Sequence, residues 1–265
     1  MSIPKKAKLE AVLPGKVAIY DISHILPKPK KWSHHKRPRG TKIVRMFFHH
    51  SGKYGADGYK GALNSVNYVI NSRDFGSRPY HFWFAYKPDV DDDGNIVVYR
   101  LAPDSERTWH TGGRANDEGL GAVFQGNLSP SKDGPPSDDQ LKMAEAVTQW
   151  NVDRHNLSLP NGLSFHSEAK RFGAPKNKPS CPGPFIVKWV KNYRSMDESE
   201  HEIQESIHAP GPSDFPISES KEPVDETMPT NIENKRADIP KPKKINGWFG
   251  KPSDNCLSKF LKRKK

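Results

Sequence analysis

The chain has 265 residues, of which 34% are hydrophobic and 28% charged, with 24 prolines and a formal net charge of +11. This composition argues against one compact core over the whole length and favours one domain of ordinary size with additional segments. Two cysteines exclude a disulfide-stabilised secreted fold, and no window reaches the ~20 apolar residues of a membrane span. The start lacks a signal-peptide-like apolar run, so we expect a protein that is made in the cytoplasm and stays soluble there unless another system exports it.

The charge is unevenly distributed. Residues 1–42 carry eleven Lys or Arg against two acids (+9), whereas residues 43–195 carry nineteen against sixteen (+3). Residues 197–233 then have a net charge of −10, and residues 235–265 one of +9. The pattern predicts a basic N-terminal lead segment (1–40), a globular domain (41–195) and a low-complexity charged tail (196–265) with a basic end.

For the two ends we expect little structure. The lead segment should be a solvated arm that packs loosely over the domain, and its functional alternative is attachment to an anionic surface such as a cell envelope or nucleic acid. The tail should be disordered, with a short basic amphipathic helix around Leu257, Phe260 and Leu261 as the alternative for its end.

The domain begins with a buried strand, TKIVRMFFHHS, that ends in His49 and His50. Adjacent strand residues point to opposite faces, so at most one of the two can face a given site. The residues alone leave open which one, or whether either is more than a hydrogen-bonded core histidine. GYKGALNSVNYVINSRDFGS then predicts a helix.

Two strands follow, RPYHFWFAYKP and IVVYRLA, joined in a hairpin by DVDDDGN. Alternation places Tyr80, Phe82 and Phe84 on one face of the first strand. The acidic turn lacks the Glu that an EF-hand needs at its twelfth position. TWHTGGRAND is a loop presenting His110, and GLGAVFQGN is a short strand.

Two helices complete the domain. One begins at Ser137, which forms a capping box with Gln140, and the other begins at Pro184. The order strand, helix, three strands, helix, helix predicts an α/β fold with a central mixed β-sheet flanked by helices. Between the two helices, FHSEAKRFGAPKNKPSCPG contains His166 and Cys181. An imidazole and a thiolate set in loops can be two corners of a zinc site, although a single His and Cys pair is weak evidence.

Seven short motifs occur in one order: FFHHS, PYHFWF, DGNIVVYRLA, TWHTGG, N-x-x-GLGAVFQGN, FHSEAK and CPG. Together they resemble the zinc-dependent N-acetylmuramoyl-L-alanine amidase family, which includes phage lysozyme-type amidases and peptidoglycan-recognition proteins. The resemblance covers roughly residues 40–194. It implies that His49, His166 and Cys181 ligate Zn²⁺, with an open fourth position typical of catalytic zinc.

The resemblance also implies catalytic residues. Tyr80 matches a tyrosine that orients water or supports the oxyanion, and His110 matches a histidine beside the metal that binds substrate or transfers protons. The basic or hydroxyl residue of the family stands two positions before the cysteine, where this chain has Pro179. We therefore assign that role to Lys178, with Lys176 and Ser180 as open alternatives.

The implied function is zinc-dependent hydrolysis of the amide between N-acetylmuramic acid and L-alanine, as in a phage endolysin. One alternative is a non-catalytic peptidoglycan- or muropeptide-binding module. The other is a basic nucleic-acid-associated protein, which only the basic ends of the chain support. We expect a monomer whose basic ends contact an anionic envelope. It would act on the cell wall after release or export by another system, with cytoplasmic muropeptide recycling as the alternative.

Overall fold

The computed structural model describes residues 3–29, 35–52, 55–159 and 161–195. The predicted charged tail, with its basic end, lies outside these ranges. Within them, no helix has both the length and the hydrophobicity that crossing a bilayer requires.

Seven strands and four α-helices make up the described fold. The strands are β1 (Lys8–Leu13), β2 (Val17–Asp21), β3 (Arg45–His50), β4 (Phe82–Phe84), β5 (Ile96–Arg100), β6 (Gly119–Phe124) and β7 (Leu163–Phe165). The α-helices are α1 (Gly58–Asn67), α2 (Gly113–Glu118), α3 (Asp138–His155) and α4 (Pro184–Arg194). A π-helical turn, Tyr68–Ser72, extends α1, and a 3₁₀ helix, His166–Phe172, follows β7.

All seven strands form one sheet in the order β1-β2-β5-β4-β6-β3-β7. The pairs β1/β2 and β4/β5 are antiparallel, whereas β2/β5, β4/β6, β3/β6 and β3/β7 are parallel. The predicted α/β fold with a central mixed sheet is therefore confirmed. The sequence had not indicated α2 or β7, which are six and three residues long.

The N-terminal lead segment differs from the solvated arm expected for residues 1–40. Residues 8–21 form the β1–β2 hairpin, and β2 pairs in parallel with β5 along its whole length. Val17, Ala18 and Ile19 are fully buried. The sequence did not predict these two strands, because VAIYD has only five residues and the segment around it is rich in lysine. The β1–β2 hairpin therefore belongs to the same sheet as the strands of the predicted domain.

Each face of the sheet has its own apolar core. On one face, Phe48, Phe82 and Phe124 pack with buried residues of α3 and α4, whereas on the other Trp83, Val97 and Tyr99 pack with α1. The predicted capping box of Ser137 and Gln140 begins α3, as expected, and left-handed Asn156 ends it. Tyr80 packs against the core that contains Trp83, whereas Phe82 and Phe84 belong to the core on the other face. The predicted alternation is wrong there because β4 begins only at Phe82.

The carboxylate of Asp104 ties the end of β5 to the end of α3. It lies 2.6 Å from Arg100, 2.8 Å from Arg154 and 3.2 Å from His155. Burial by itself would raise the pKa of Asp104, but the hydrogen bond with His155 and the charge of Arg100 outweigh burial and hold it well below its usual range. The ionised carboxylate is thus a stabilising element of the fold.

We expect Asp104→Asn to lower the free energy of unfolding by about 2 kcal/mol at pH 7, because the basic partners lose their counter-charge. Since the pKa of Asp104 is depressed in the folded state, its contribution is present above the unfolded pKa of ~3.9 and is lost as the pH falls towards the folded pKa. The loss should therefore shrink below about pH 4. Urea unfolding at several pH values measures it, with exposed Asp92→Asn as the control. Equal stability of Asp104→Asn and the wild type at pH 7 would contradict this account.

Candidate metal centre

His49 and His166 are brought together by the pairing of their strands. β3 and β7 run parallel, with Phe48 opposite Phe165. His49 follows Phe48 within β3, and His166 follows Phe165 directly after β7, so the two imidazoles emerge side by side at the carboxyl edge of the sheet. The rings are 4.8 Å apart, measured between centroids. This edge is where ligands of open α/β sheets commonly bind.

Cys181 reaches the same edge from the loop that precedes α4. The loop is fastened to the end of β7, since the N–H of Lys178 donates to the carbonyl of His166 and the N–H of Cys181 donates to that of Lys178. Gly183, with φ of 95°, lies so close to the Leu128 carbonyl that a Cβ would be 2.2 Å from its oxygen. Only glycine therefore lets the chain turn into α4 at this point.

The three side chains have the spacing of metal ligands. Their candidate donor atoms all lie within 4.8 Å of one another, and His49 Nδ1 is 3.8 Å from Cys181 Sγ. Two ligands of a tetrahedral ion with metal–nitrogen and metal–sulfur bonds of ~2.1 and ~2.3 Å would be about 3.6 Å apart. The donor set therefore fits one metal ion with three protein ligands.

His50, the other candidate of the pair, does not join this group. Its Nδ1 accepts a hydrogen bond from the backbone N–H of Leu128 at 3.3 Å. The strand alternation thus directs His49 towards Cys181 and His50 elsewhere. The backbone N–H of His50, in contrast, donates to the sulfur of Cys181 and favours its thiolate.

The electrostatics suit a cation. Burial, followed by the charge of His166, holds the pKa of His49 well below its ordinary value, and burial with Lys178 lowers the pKa of His166 to about 4. Both imidazoles are thus neutral at pH 7, with lone pairs available for coordination. Burial raises the pKa of the Cys181 thiol to about 11. A divalent cation would displace that proton and offset the cost of a buried thiolate.

His110 lies behind His49, on the side away from Cys181. Its Nδ1 is 3.1 Å from His49 Nε2, whereas His49 Nδ1 faces the sulfur. The loop that carries His110 is held by Asn116, whose Oδ1 accepts hydrogen bonds from the backbone N–H groups of residues 110, 111 and 112 and from the Thr111 hydroxyl. From the sequence, Asn116 is only the first residue of the N-x-x-GLGAVFQGN motif, because most of its partners are backbone groups.

Tyr80 and Lys178 stand beside the three candidate ligands. The Tyr80 ring is 5.2 Å from that of His49, centroid to centroid. Burial, and then the charge of Cys181, raises the pKa of Tyr80, so its phenol remains a hydrogen-bond donor. Lys178 is exposed, and its charge is the largest influence after burial on both His166 and His50. Tyr80 therefore lies beside a candidate ligand, and the charge of Lys178 acts on another.

The chain is similar to several solved structures. Drosophila PGRP-LB superposes with a TM-score of 0.50 at 15% identity, covering 67% of this chain and 94% of that one. Drosophila PGRP-SD (TM-score 0.47, 20% identity, 63% and 89% covered) and the endolysin N-acetylmuramoyl-L-alanine amidase LysCS of Clostridium intestinale (0.45, 15%, 68% and 96%) are also similar. At these identities the likeness concerns the fold alone. Comparison with curated proteins gives no match.

The sequence profile of one family, described as N-acetylmuramoyl-L-alanine amidase, matches residues 39–184. This range is more than half of the chain, and it contains both histidines and the cysteine of the candidate metal centre. The chain therefore belongs to the N-acetylmuramoyl-L-alanine amidase family.

Proposed function

We propose that this protein is a zinc-dependent amidase that hydrolyses the bond between N-acetylmuramic acid and L-alanine in peptidoglycan. The observation that carries the proposal is the convergence of His49, His166 and Cys181, with all donor atoms within 4.8 Å, at the carboxyl edge of the sheet. Membership of the N-acetylmuramoyl-L-alanine amidase family supports this substrate class and this bond.

Zinc is the metal that this donor set favours. Two neutral imidazoles and one thiolate combine ligands of intermediate and soft character, which suits Zn²⁺ better than Mg²⁺ or Ca²⁺. Three protein ligands with one open position are typical of catalytic rather than structural zinc. When bound, Zn²⁺ would supply a Lewis acid that polarises a carbonyl and lowers the pKa of water towards ~7.

Tyr80 is the proposed hydrogen-bond donor to the reacting carbonyl. Its ring lies against His49, and its raised pKa keeps the proton on the phenol oxygen. As water adds to the amide carbon, negative charge develops on the carbonyl oxygen. A donor already fixed beside the metal centre stabilises that charge without having to reorganise.

Lys178 is the proposed cationic partner in the same step. Lys178 is exposed, and its charge acts electrostatically on both His166 and Cys181. A positive charge there would attract the developing oxyanion. The loop bond from Lys178 N–H to the His166 carbonyl keeps this residue close to the ligands.

His110 has a different proposed role from the substrate binding or proton transfer implied by the resemblance. Its contact with His49 Nε2 is the kind of outer hydrogen bond that fixes the tautomer and orientation of a metal-ligating histidine. We therefore assign it to positioning of His49.

A non-catalytic muropeptide-binding module is the second candidate function. Relatives of that kind commonly lack the cysteine ligand, and Cys181 is present and buried beside His49. We further propose that the protein is a monomer that reaches the cell wall as an endolysin does, and that its basic ends contact an anionic envelope. Release of free L-alanine amino termini from purified peptidoglycan, abolished by a chelator, distinguishes hydrolysis from binding alone.

We expect the purified protein to contain about one Zn²⁺ per chain and Cys181→Ala to contain almost none, because the ion loses its thiolate. Elemental analysis after dialysis measures both. Cys256→Ala removes the other cysteine and should keep the full zinc content, which makes it the matched control. Equal zinc content in Cys181→Ala and Cys256→Ala would contradict the proposed metal centre.

We expect Tyr80→Phe to lower kcat on a muropeptide about 100-fold and Lys178→Ala about tenfold, since each removes stabilisation of developing charge. Neither variant should lose zinc. Lys176→Ala removes the same charge two positions earlier in the loop and should retain wild-type kcat. A loss in Lys176→Ala as large as that in Lys178→Ala would show that the loop charge matters and Lys178 itself does not.

A further inference from the structure

Arg37 lies in the basic N-terminal lead segment, two residues before the family match begins at residue 39. Its neighbours Lys36, Pro38 and Arg39 are exposed, but Arg37 is half-buried. Two backbone hydrogen bonds join this stretch to residues 105–107: Arg37 N–H donates to the Ser105 carbonyl, and Arg107 N–H donates to the His35 carbonyl. These hydrogen bonds hold the backbone at Arg37, and its side chain points into the protein.

The guanidinium of Arg37 donates to four backbone carbonyls. Nε donates to Asp104 at 2.6 Å, Nη1 donates to Asn116 at 3.1 Å and also to Asp117, and Nη2 donates to Gly119 at 2.7 Å. Burial lowers the pKa of Arg37 to about 10, which leaves it charged at neutral pH. The guanidinium of Arg37 thus binds carbonyl oxygens of both the loop after β5 and the end of α2.

Three of those carbonyls lie where α2 ends and β6 begins. The last carbonyls of a helix have no partner within it, and α2 has only six residues. So short a helix is marginal without outside contacts, and a cation at its carboxyl end complements both the free carbonyls and the helix dipole. Arg37 supplies that cation.

Asn116 connects this cap to the metal centre. Its carbonyl is held by Arg37, and its side-chain Oδ1 accepts the N–H groups of residues 110–112. These bonds set the loop that places His110 Nδ1 3.1 Å from His49 Nε2. Every step of the path from Arg37 to His49 is a hydrogen bond or a short stretch of backbone.

We propose that Arg37 is a positioning residue for the metal centre, which fixes α2 and Asn116, and through them His110 and the ligand His49. The lead segment then helps to position the metal centre, although Arg37 itself lies outside the residues that the family profile matches. The proposal rests on the proposed function, because it takes His49 as a metal ligand.

The test compares Arg37→Ala with Arg39→Ala, which removes the same charge from an exposed position two residues away. Zinc affinity is measured by competition with a chromophoric chelator. The constants kcat and KM are measured on a muropeptide at saturating zinc. We expect Arg37→Ala to bind zinc about tenfold more weakly and to lose kcat about tenfold with little change in KM. Arg39→Ala should match the wild type in all three.

Arg37→Lys keeps the charge and guards against misfolding of Arg37→Ala, which thermal unfolding detects. The planar guanidinium of arginine donates to four carbonyls at once, and a single lysine ammonium cannot replace all of these hydrogen bonds. This variant should therefore also bind zinc more weakly than the wild type. Wild-type zinc affinity in folded Arg37→Ala or in Arg37→Lys would overturn the proposal. Should the wild type bind zinc without cleaving muropeptide, the proposed function would fail, while the affinity comparison would still decide the role of Arg37.

Discussion

The parallel pairing of β3 with β7 is the constraint on which the candidate metal centre depends. Because Phe48 is opposite Phe165, the next residues, His49 and His166, meet at one edge of the sheet. A shift of one residue in this register would turn one imidazole to the other face. The buried cores on both faces of the sheet fix the register, so packing far from the centre determines its geometry.

Burial then determines the chemistry that the centre can support. It keeps His49 and His166 neutral, and it disfavours the thiolate of Cys181 despite the N–H of His50. Two neutral imidazoles beside a thiolate would leave one buried negative charge, and a bound divalent cation would offset it. The same burial keeps the Tyr80 phenol protonated, and the centre therefore combines a place for a Lewis acid with a fixed donor beside it.

The sequence predicted those parts of the protein that side-chain patterns record. The strand ending in His49, the capped helix at Ser137 and the ordered motifs containing His166 and Cys181 were all recognisable. β7 was too short to register, and β1 and β2 were hidden in a lysine-rich segment. The sequence marks Asn116 only as the first residue of the N-x-x-GLGAVFQGN motif, and it gives no sign of Arg37. Their roles could not have been predicted, because both form hydrogen bonds with backbone groups that folding brings to them.

X-ray absorption spectroscopy at the zinc edge of the loaded protein tests the central claim most directly. A centre built from His49, His166 and Cys181 predicts a first shell with sulfur at ~2.3 Å, imidazole nitrogens at ~2.0–2.1 Å and one further light atom from solvent. In Cys181→Asp, whose carboxylate keeps an anionic ligand for zinc, the sulfur contribution should vanish while the nitrogen shell persists. A shell without sulfur in the wild type, or one made of four protein ligands, would contradict the account.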